Sequence, residues 1–250
     1  MAIDGNTLSR RMISGVRVTS GAPEACVAAI DDDVAQGRVR LGFVNTFTAH
    51  LLARSTYYRA RVRNFMLLND GVGLDIVSLV KHGSRFRFNL NGTDFVPFYL
   101  RATRYSYRIY LLGGRPGVAE QAAAVLREMA PQHDYVGAHD GYFDAAQSEA
   151  VVGEIRQGGA NLVLVALGNL RQEMSIAYNL EKTGARLAIG VGALLDFLTE
   201  AVPRAPAWMR RLKLEWLYRL SREPKRLWKR YMVFTPLLIG HALAEKVRLL

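Results

Sequence analysis

Short apolar runs alternate with longer amphipathic stretches along most of the chain. The apolar runs are residues 39–44, 65–68, 107–112, 135–138, 162–167 and 186–191. Each run is followed by Gly, Asn or Asp and then by apolar residues at helical spacing, as in 118–130, 145–157 and 171–183. This repetition of strand, turn and helix predicts an α/β fold with a Rossmann-like parallel sheet and helices on both faces.

The loops after the predicted strands are the expected ligand site, because open parallel sheets bind ligands beyond the carboxyl ends of their strands. Four such loops combine Gly with polar residues: Asn69-Asp70-Gly71-Val72-Gly73, Gly113-Gly114-Arg115-Pro116-Gly117, Gly168-Asn169-Leu170-Arg171-Gln172-Glu173 and Gly190-Val191-Gly192-Ala193-Leu194-Leu195-Asp196. Each loop alone also fits an ordinary strand-to-helix turn. Together they predict a polar rim for a nucleotide.

Two of these loops indicate particular chemistry. A carboxylate at Asp70 can take a proton from an attacking hydroxyl as a general base, or it can cap a helix. Glycines such as Gly113 and Gly114 let backbone N–H groups approach a phosphate, and the next helix offers its positive end. Their spacing completes neither the dinucleotide-binding fingerprint nor the P-loop.

Positive charge is concentrated at the C-terminal end. The chain has a net charge of +11, and residues 201–250 hold twelve Lys or Arg against three Glu, which places +9 on a fifth of the chain. Trp208, Leu212 and Trp216 fall on helical spacing between these basic residues. Aromatic and apolar residues interleaved with cations are typical of a helix at a membrane surface. An ordinary C-terminal helix packed on the core is the alternative.

These patterns predict two units, an α/β domain over residues 1–202 and a membrane-associating helical appendage over residues 203–250. Within the appendage, helices are expected at 207–222 and 224–234. No apolar stretch reaches the roughly 20 residues that a spanning helix needs. The longest without charged residues, 231–244, contains a Pro and a Gly, so we expect a cytoplasmic protein without a transmembrane anchor.

Other residue patterns argue against competing chemistries. The lone Cys26 allows no intrachain disulfide and is expected to be buried in a helix. The acidic run Asp31-Asp32-Asp33 is interpreted as the solvated face of a helix over residues 22–36. The histidines lack metal-ligand spacing, so no metal or other cofactor is expected. A nucleic-acid-binding protein and a dinucleotide oxidoreductase are alternatives, but the body is nearly neutral and the glycine fingerprint is incomplete.

Six short motifs follow one another in a fixed order. They are Asn69-Asp70-Gly71-x-Gly73, Asn91-Gly92-Thr93-Asp94, Gly113-Gly114, Gly141-Tyr142-Phe143, Gly168-x-x-x-Gln172-Glu173 and Gly190-Val191-Gly192. A tail motif follows, Arg204-Ala205-Pro206 and then Leu214-Glu215-Trp216-Leu217-Tyr218-Arg219. This ordered set resembles the WecG/TagA/CpsF glycosyltransferases (family 26) over residues 39–231.

The resemblance implies an inverting transferase that moves a sugar from a UDP donor to a polyprenyl-diphosphate-linked sugar without a divalent metal. It implies a peripheral location on the inner face of a bacterial cell membrane, an anionic surface as partner, and no nucleic acid. It implies a role in exopolysaccharide or cell-surface polysaccharide synthesis, and self-association is a further expectation. The pattern resembles exopolysaccharide glucosyltransferases of the GumM type more than the N-acetylmannosamine transferases, which favours glucose over N-acetylmannosamine or a uronic acid.

The resemblance also implies roles for individual residues. Asp70 matches the general base, and Asn45 and Thr46 match the first strand-end loop as further catalytic candidates. Arg204 and Arg219 match appendage arginines that reach a diphosphate. The remaining substrate-binding candidates are Asp94, Gly113, Gly114, Gly168, Asn169, Gln172, Glu173, Gly190 and Gly192.

Overall fold

The structure is a computed structural model, and it describes residues 8–144, 146–206, 208, 209, 212 and 214–247. Four basic residues of the predicted appendage lie outside these residues: Arg210, Arg211, Lys213 and Arg248. The side chains of three more lie outside the description as well: Arg226, Arg230 and Lys246.

Within the described residues, eight strands form one sheet. They are β1 (Ser9–Ile13), β2 (Val16–Ser20), β3 (Val39–Val44), β4 (Met66–Asn69), β5 (Arg108–Gly113), β6 (Asp134–His139), β7 (Leu162–Ala166) and β8 (Leu187–Gly190). Their order is β1-β2-β4-β3-β8-β7-β5-β6, and every neighbouring pair except β1–β2 is parallel. The predicted parallel sheet is confirmed, with one antiparallel strand at its edge.

Helices cover both faces of this sheet. They are α1 (Pro23–Gln36), α2 (Thr46–Arg54), α3 (Thr56–Val62), α4 (Val72–His82), α5 (Gly92–Ala102), α6 (Val118–Met129), α7 (Ser148–Gln157), α8 (Arg171–Thr183) and α9 (Leu194–Leu198). Successive side chains of a strand point to opposite faces. Accordingly, Ile109 and Leu111 of β5 join the apolar cluster that includes α1, α5 and α6, whereas Tyr110 and Leu112 join the cluster that includes α2, α4 and α8. The central strands are therefore buried between two helical layers, as predicted.

An N-terminal hairpin is the main element that the apolar pattern did not predict. β1 and β2 are joined by Ser14 and Gly15, with φ of 49° and 78°. Positive φ at both central residues fits the tight turn that two-residue hairpins prefer. β2 then pairs with β4 through Thr19 and Leu68. The hairpin thereby covers the edge of β4, the strand that carries the Asp70 loop.

The buried face of α1 confirms one expectation and corrects another. Cys26 is fully buried there, as expected. The expected solvated acidic face is wrong for Asp31, which is 2 % exposed, although the next two aspartates are exposed. The Asp31 carboxylate accepts hydrogen bonds from the hydroxyls of Tyr99 (3.0 Å) and Thr103 (2.7 Å) and from the backbone N–H of Arg104 (3.0 Å). Three donors offset the cost of burying this charge, so Asp31 ties α1 to the end of α5.

The C-terminal segment (residues 203–247, where described) packs onto the core through its last helix. The segment contains α10 (Glu215–Arg222), α11 (Pro224–Trp228), a π-helix (Lys229–Phe234) and α12 (Thr235–Val247). α12 contacts α4 and α2 and buries Leu238 and Ala242, whereas α10 has no fully buried residue. The second predicted helix therefore changes into a π-helix partway along. The described part of the chain contains no helix that could span a bilayer.

Candidate functional site

A cleft of about 920 Å³ opens at the carboxyl edge of the sheet. The loops after six parallel strands meet the C-terminal segment there, and the volume lies at the upper end of the range for small-molecule sites. Nine of the fourteen predicted site residues line it: Asn45, Asp70, Gly114, Gly168, Asn169, Gln172, Gly190, Gly192 and Arg219. The fold therefore collects into one wall residues that lie far apart in the sequence.

Asp70 follows β4 and is half-buried in the wall of the cleft. Its backbone N–H donates to the carbonyl of Val44 at 2.9 Å, which ties the ends of β4 and β3 together. Asn45 Oδ1 accepts hydrogen bonds from the backbone N–H groups of Phe47 and Thr48, at 3.1 Å each, and so caps α2. With its oxygen held in this way, Asn45 directs Nδ2 to Asp70 Oδ2 at 3.5 Å, a long hydrogen bond. Asn45 thus orients the carboxylate.

Thr46 lies outside the wall of the cleft. It is 5 % exposed, and its hydroxyl accepts a hydrogen bond from that of Thr235 at 3.1 Å. Its methyl group fills the space beside Gly73, where an added Cβ would come within 2.5 Å of Thr46 Cγ2. The structure therefore does not bring Thr46 to the cleft with Asn45 and Asp70. It places Thr46 in the contact between α2, the start of α4 and α12.

Glycines let the ends of β5 and β7 and the loop after β6 approach closely. Gly113 has φ of 131°, and a Cβ there would come within 2.4 Å of the carbonyl oxygen of Ala166. The N–H of Gly114 donates to the same carbonyl at 3.3 Å, and the N–H of Gly141 donates to the carbonyl of Gly114 at 2.9 Å. Gly113 lies behind the wall, whereas Gly114 and Gly141 form it. The resulting surface is mostly backbone, which suits close approach by an extended ligand.

Gln172 and Glu173 hold the loops after β7 and β8 in position. Gln172 Oε1 accepts a hydrogen bond from the N–H of Gly192 at 3.0 Å, and its Nε2 donates to Glu173 Oε1 at 2.7 Å. Glu173 Oε2 accepts from the N–H of Leu170 at 2.7 Å, where the backbone has φ of 73°. Burial raises the pKa of Glu173, and these hydrogen bonds oppose the rise. Glu173 therefore supports the wall from behind, whereas Gln172 lines it.

Asn169 connects the loop after β7 to the loop that orients Asp70. Its Nδ2 donates to Thr48 Oγ1 at 2.7 Å. Thr48 Oγ1 lies 3.4 Å from Asn45 Oδ1, to which it can donate in turn. The chain of contacts runs from Asn169 through Thr48 and Asn45 to Asp70, so two loops share one hydrogen-bonded support.

Asp94 and Arg204 bind each other and do not line the cleft. Arg204 Nη2 donates to Asp94 Oδ1 at 2.6 Å, across 110 positions of sequence. The other carboxylate oxygen, Oδ2, accepts from Asn91 Nδ2 at 2.9 Å. Both residues were predicted to contact substrate. The structure instead joins the start of α5 to the start of the C-terminal segment through them.

Arg219 is the predicted tail arginine that does line the cleft. Its guanidinium carbon lies 5.3 Å from the centroid of the Phe197 ring, and that of Arg204 lies 6.0 Å from the same centroid. Both distances are in the range of cation–π contact. Phe197 also lines the cleft, so one ring from α9 positions two arginines of the C-terminal segment.

The sequence did not single out Phe197, which lines the cleft, or Glu215, whose pKa is affected by burial and by the charges of Asp70 and Arg219. Burial raises the pKa of Glu215, and the negative charges of Asp94 and Asp70 raise it further, while the two tail arginines lower it. Its carboxyl group therefore shares an electrostatic environment with Asp70. The tail motif contains Glu215 and could have indicated it. An acid one turn before Arg219 is, however, equally expected to form a surface ion pair.

Further charged and aromatic residues of the wall include three from the loops after β5 and β6 and from the start of α8. Arg115, Arg171 and Tyr142 line the cleft, and Tyr142 is 71 % exposed. An exposed aromatic ring of this kind offers a stacking surface for a base. No group of three His, Cys, Asp or Glu side chains converges as a metal site within the described residues.

A comparison with protein-family models identifies residues 11–250 with one family, described as glycosyl transferase WecG/TagA/CpsF. The matched range contains all fourteen predicted site residues and extends through the C-terminal segment. It confirms the resemblance that the ordered motifs indicated, while the GumM-type subgroup stays a prediction.

Proposed function

Because the chain belongs to the WecG/TagA/CpsF family of glycosyltransferases, we propose that it transfers a hexose from a UDP-sugar to a sugar carried on a polyprenyl diphosphate. Glucose is the favoured donor sugar, with N-acetylmannosamine or a uronic acid as alternatives. The reaction takes place on the inner face of a bacterial cell membrane, in the synthesis of exopolysaccharide or another surface polysaccharide. One observation carries this proposal: Asp70 of the core and Arg219 of the C-terminal segment line the same cleft.

The donor fits the side of the cleft that is built from glycine loops. Gly114, Gly141 and Gly168 leave backbone rather than side chains in the wall, and Tyr142 offers its ring to a uracil. Arg115 and Arg171 add positive charge near these loops. A nucleotide diphosphate is an extended anion with one aromatic end, so its chemistry matches these features.

Asp70 is the general base in this proposal. Its carboxylate takes the proton of the acceptor hydroxyl while the hydroxyl oxygen forms a bond to the anomeric carbon of the donor. The bond from that carbon to the β-phosphate oxygen breaks, its electron pair leaves with UDP, and the anomeric configuration inverts. Asn45 orients the carboxylate through its side-chain amide, 3.5 Å from Asp70 Oδ2.

Arg219 stabilises the charge that grows on UDP as it leaves. A guanidinium donates paired hydrogen bonds to phosphate oxygens and stays ionised at every physiological pH. In a partly enclosed cleft this stabilisation is worth more than in water. The Phe197 ring, 5.3 Å from the guanidinium carbon, holds this arginine in the wall.

The C-terminal segment brings the cleft to the lipid-linked acceptor. It exposes large apolar side chains, among them Trp208 (60 %), Leu212 (64 %) and Trp228 (46 %). The Lys229 ammonium lies 5.8 Å from the Trp228 ring centroid. Exposed tryptophans beside cations suit the headgroup region of an anionic leaflet, where each Lys or Arg contributes about 1 kcal/mol.

The test is UDP release in detergent micelles with polyprenyl-diphosphate-glucose as acceptor, against a panel of UDP-sugars. Release that requires both the acceptor and one particular donor is the expected result, and it names the donor sugar. Product analysis by NMR then reads the anomeric configuration, for which inversion is expected.

Absence of release from every donor would overturn the proposed donor or acceptor. Binding of UDP alone, measured by calorimetry, then separates the two. Retained UDP binding places the error in the acceptor, and loss of UDP binding places it in the nucleotide.

A further inference from the structure

The ion pair between Asp94 and Arg204 is built as a fixed contact. Asn91 caps α5 by accepting the N–H of Asp94 on Oδ1 at 3.0 Å, and its Nδ2 donates to Asp94 Oδ2 at 2.9 Å. With these two hydrogen bonds in place, Asp94 Oδ1 accepts from Arg204 Nη2, 2.6 Å away. The core therefore presents an oriented carboxylate to the first arginine of the C-terminal segment.

Arg204 is anchored on its own side as well. The next residue, Ala205, is 4 % exposed, and the Arg204 side chain is 27 % exposed against 53 % for that of Asp94. The Arg204 guanidinium also stands 6.0 Å from the Phe197 ring centroid. The carboxylate and the ring together fix the position of the Arg204 guanidinium.

The same contacts lead to Arg219. Phe197 lies against both guanidinium groups, and both arginines contribute to the electrostatic environment of the Glu215 carboxyl. Arg219 lines the cleft, whereas Arg204 does not. A shift of Arg204 would therefore disturb the ring against which Arg219 lies.

We propose that Asp94 and Arg204 form a clasp that docks the C-terminal segment on the core and positions Arg219 in the cleft. In this role neither residue touches the substrate, and both act through Arg219. The inference rests on the proposed function for its kinetic test, but the docking itself is measurable without any substrate.

The test is a double-mutant cycle of Asp94→Asn and Arg204→Gln, with donor KM, kcat and UDP affinity as readouts. Each single variant is expected to lower kcat/KM on the order of tenfold, because a misplaced charge near the reacting atoms is costly. The double variant is expected to be no worse than either single one, since the clasp is broken only once. Asp94→Asn is expected to have no further effect when it is added to Arg219→Gln.

Two measurements keep this test independent of folding defects and of the proposed reaction. Trypsin is expected to cut the C-terminal segment several-fold faster in both single variants, while the melting temperature of the core changes little. The control is Glu181→Gln, which breaks the Arg40–Glu181 pair (2.9 Å) at the amino edge of the sheet. It is expected to leave both kinetics and cleavage unchanged.

The clasp would be wrong if Asp94→Asn left kcat/KM and cleavage within twofold of wild type while Arg204→Gln lost activity. That pattern would place Arg204 on the substrate. If wild type transferred no sugar at all, the proposed function would fail, and the cleavage rates alone would still decide whether the clasp holds the segment.

Discussion

The α/β core and the C-terminal segment have similar apolar patterns, but the core buries its apolar side chains and the segment exposes many of them. In the core, neighbouring side chains of β5 are buried on both faces of the sheet. In the C-terminal segment, only a few apolar side chains such as Leu227, Leu238 and Ala242 are buried. Of the thirteen exposed large apolar side chains in the described residues, seven lie in this segment, which is less than a fifth of the chain. These seven side chains face solvent in the described residues, which is the expectation for a surface that binds elsewhere.

The largest expected effect tests whether the α/β core supplies the general base. Asp70→Asn keeps the shape and the contact with Asn45 but removes the proton acceptor. Turnover is expected to fall by about 10²–10⁴-fold, with UDP affinity nearly unchanged. Asp134→Asn, at the opposite end of a strand, is the matched control and should have no effect. Full activity of Asp70→Asn in the micelle assay would remove Asp70 from the base role.

The next effect compares stability in the two regions directly. Leu111→Ala removes a fully buried side chain of β5 and is expected to cost about 2–5 kcal/mol of unfolding free energy. Leu217→Ala, in α10 and 43 % exposed, is expected to change it by less than about 0.5 kcal/mol. Urea unfolding followed by circular dichroism measures both. Equal losses would show that α10 is part of the cooperative core.

Membrane binding should depend on the C-terminal segment rather than on the core, the reverse of the order expected for stability. Replacing Trp228 and Leu237 by Ala is expected to weaken partitioning to anionic vesicles by at least about tenfold, since each buried side chain contributes about 1.5–3 kcal/mol. Leu79→Ala, an exposed leucine of α4, is the control and should partition like wild type. Vesicle sedimentation at two salt concentrations separates the charge contribution, which weakens with salt. Unchanged partitioning of the double variant would exclude these side chains from the membrane contact.

The smallest effect concerns the boundary between the regions. The imidazole of His50 on α2 stacks on Phe234 of the π-helix at 4.6 Å, and burial, then Arg54 and His241, lower its pKa below 6.5. A lowered folded-state pKa means that the folded protein binds fewer protons. The contact is therefore at full strength above pH 6.5 and weakens as the pH falls below it.

Tryptic cleavage of the C-terminal segment measures this effect. Cleavage is expected to be faster at pH 5.5 than at pH 7.5, after correction for trypsin activity, and His50→Gln should remove the difference. Burial also lowers the pKa of His133, but that ring lies inside the core. It is hydrogen-bonded to the carbonyl of Leu100 and to the backbone N–H of Tyr107. His133→Gln should therefore leave the pH dependence of cleavage unchanged.

Much of the fold was predictable because its determinants are local. The apolar run 39–44 and the amphipathic stretch 171–183 coincide with β3 and α8, since burial on one or both faces fixes their period. The apolar pattern did not predict the N-terminal hairpin because β1 is largely exposed and polar. Its turn, Ser14-Gly15, was the available signal.

The candidate site was predictable only where strand ends mark it. Asn45 and Asp70 follow strands directly and Gly192 comes two residues after β8, so sheet topology places them at one edge. The surroundings of Asp94 and Glu215 depend on how the C-terminal segment docks, and the Asp94–Arg204 contact spans 110 positions. Thr46 shows the converse, because a residue next to Asn45 turns to a different neighbour, Thr235.

The π-helix at Lys229–Phe234 makes the chain length of this segment critical. A standard helix turns by about 100° per residue, so deleting one residue here would rotate all of α12 by that angle around its axis. Leu238 and Ala242, now buried against the core, would swing towards solvent. Substitutions at exposed positions of this stretch, such as Lys229 and Met232, should be tolerated far better than insertions or deletions. Homologous chains are thus expected to vary at such positions in residue type while conserving the residue number of the stretch.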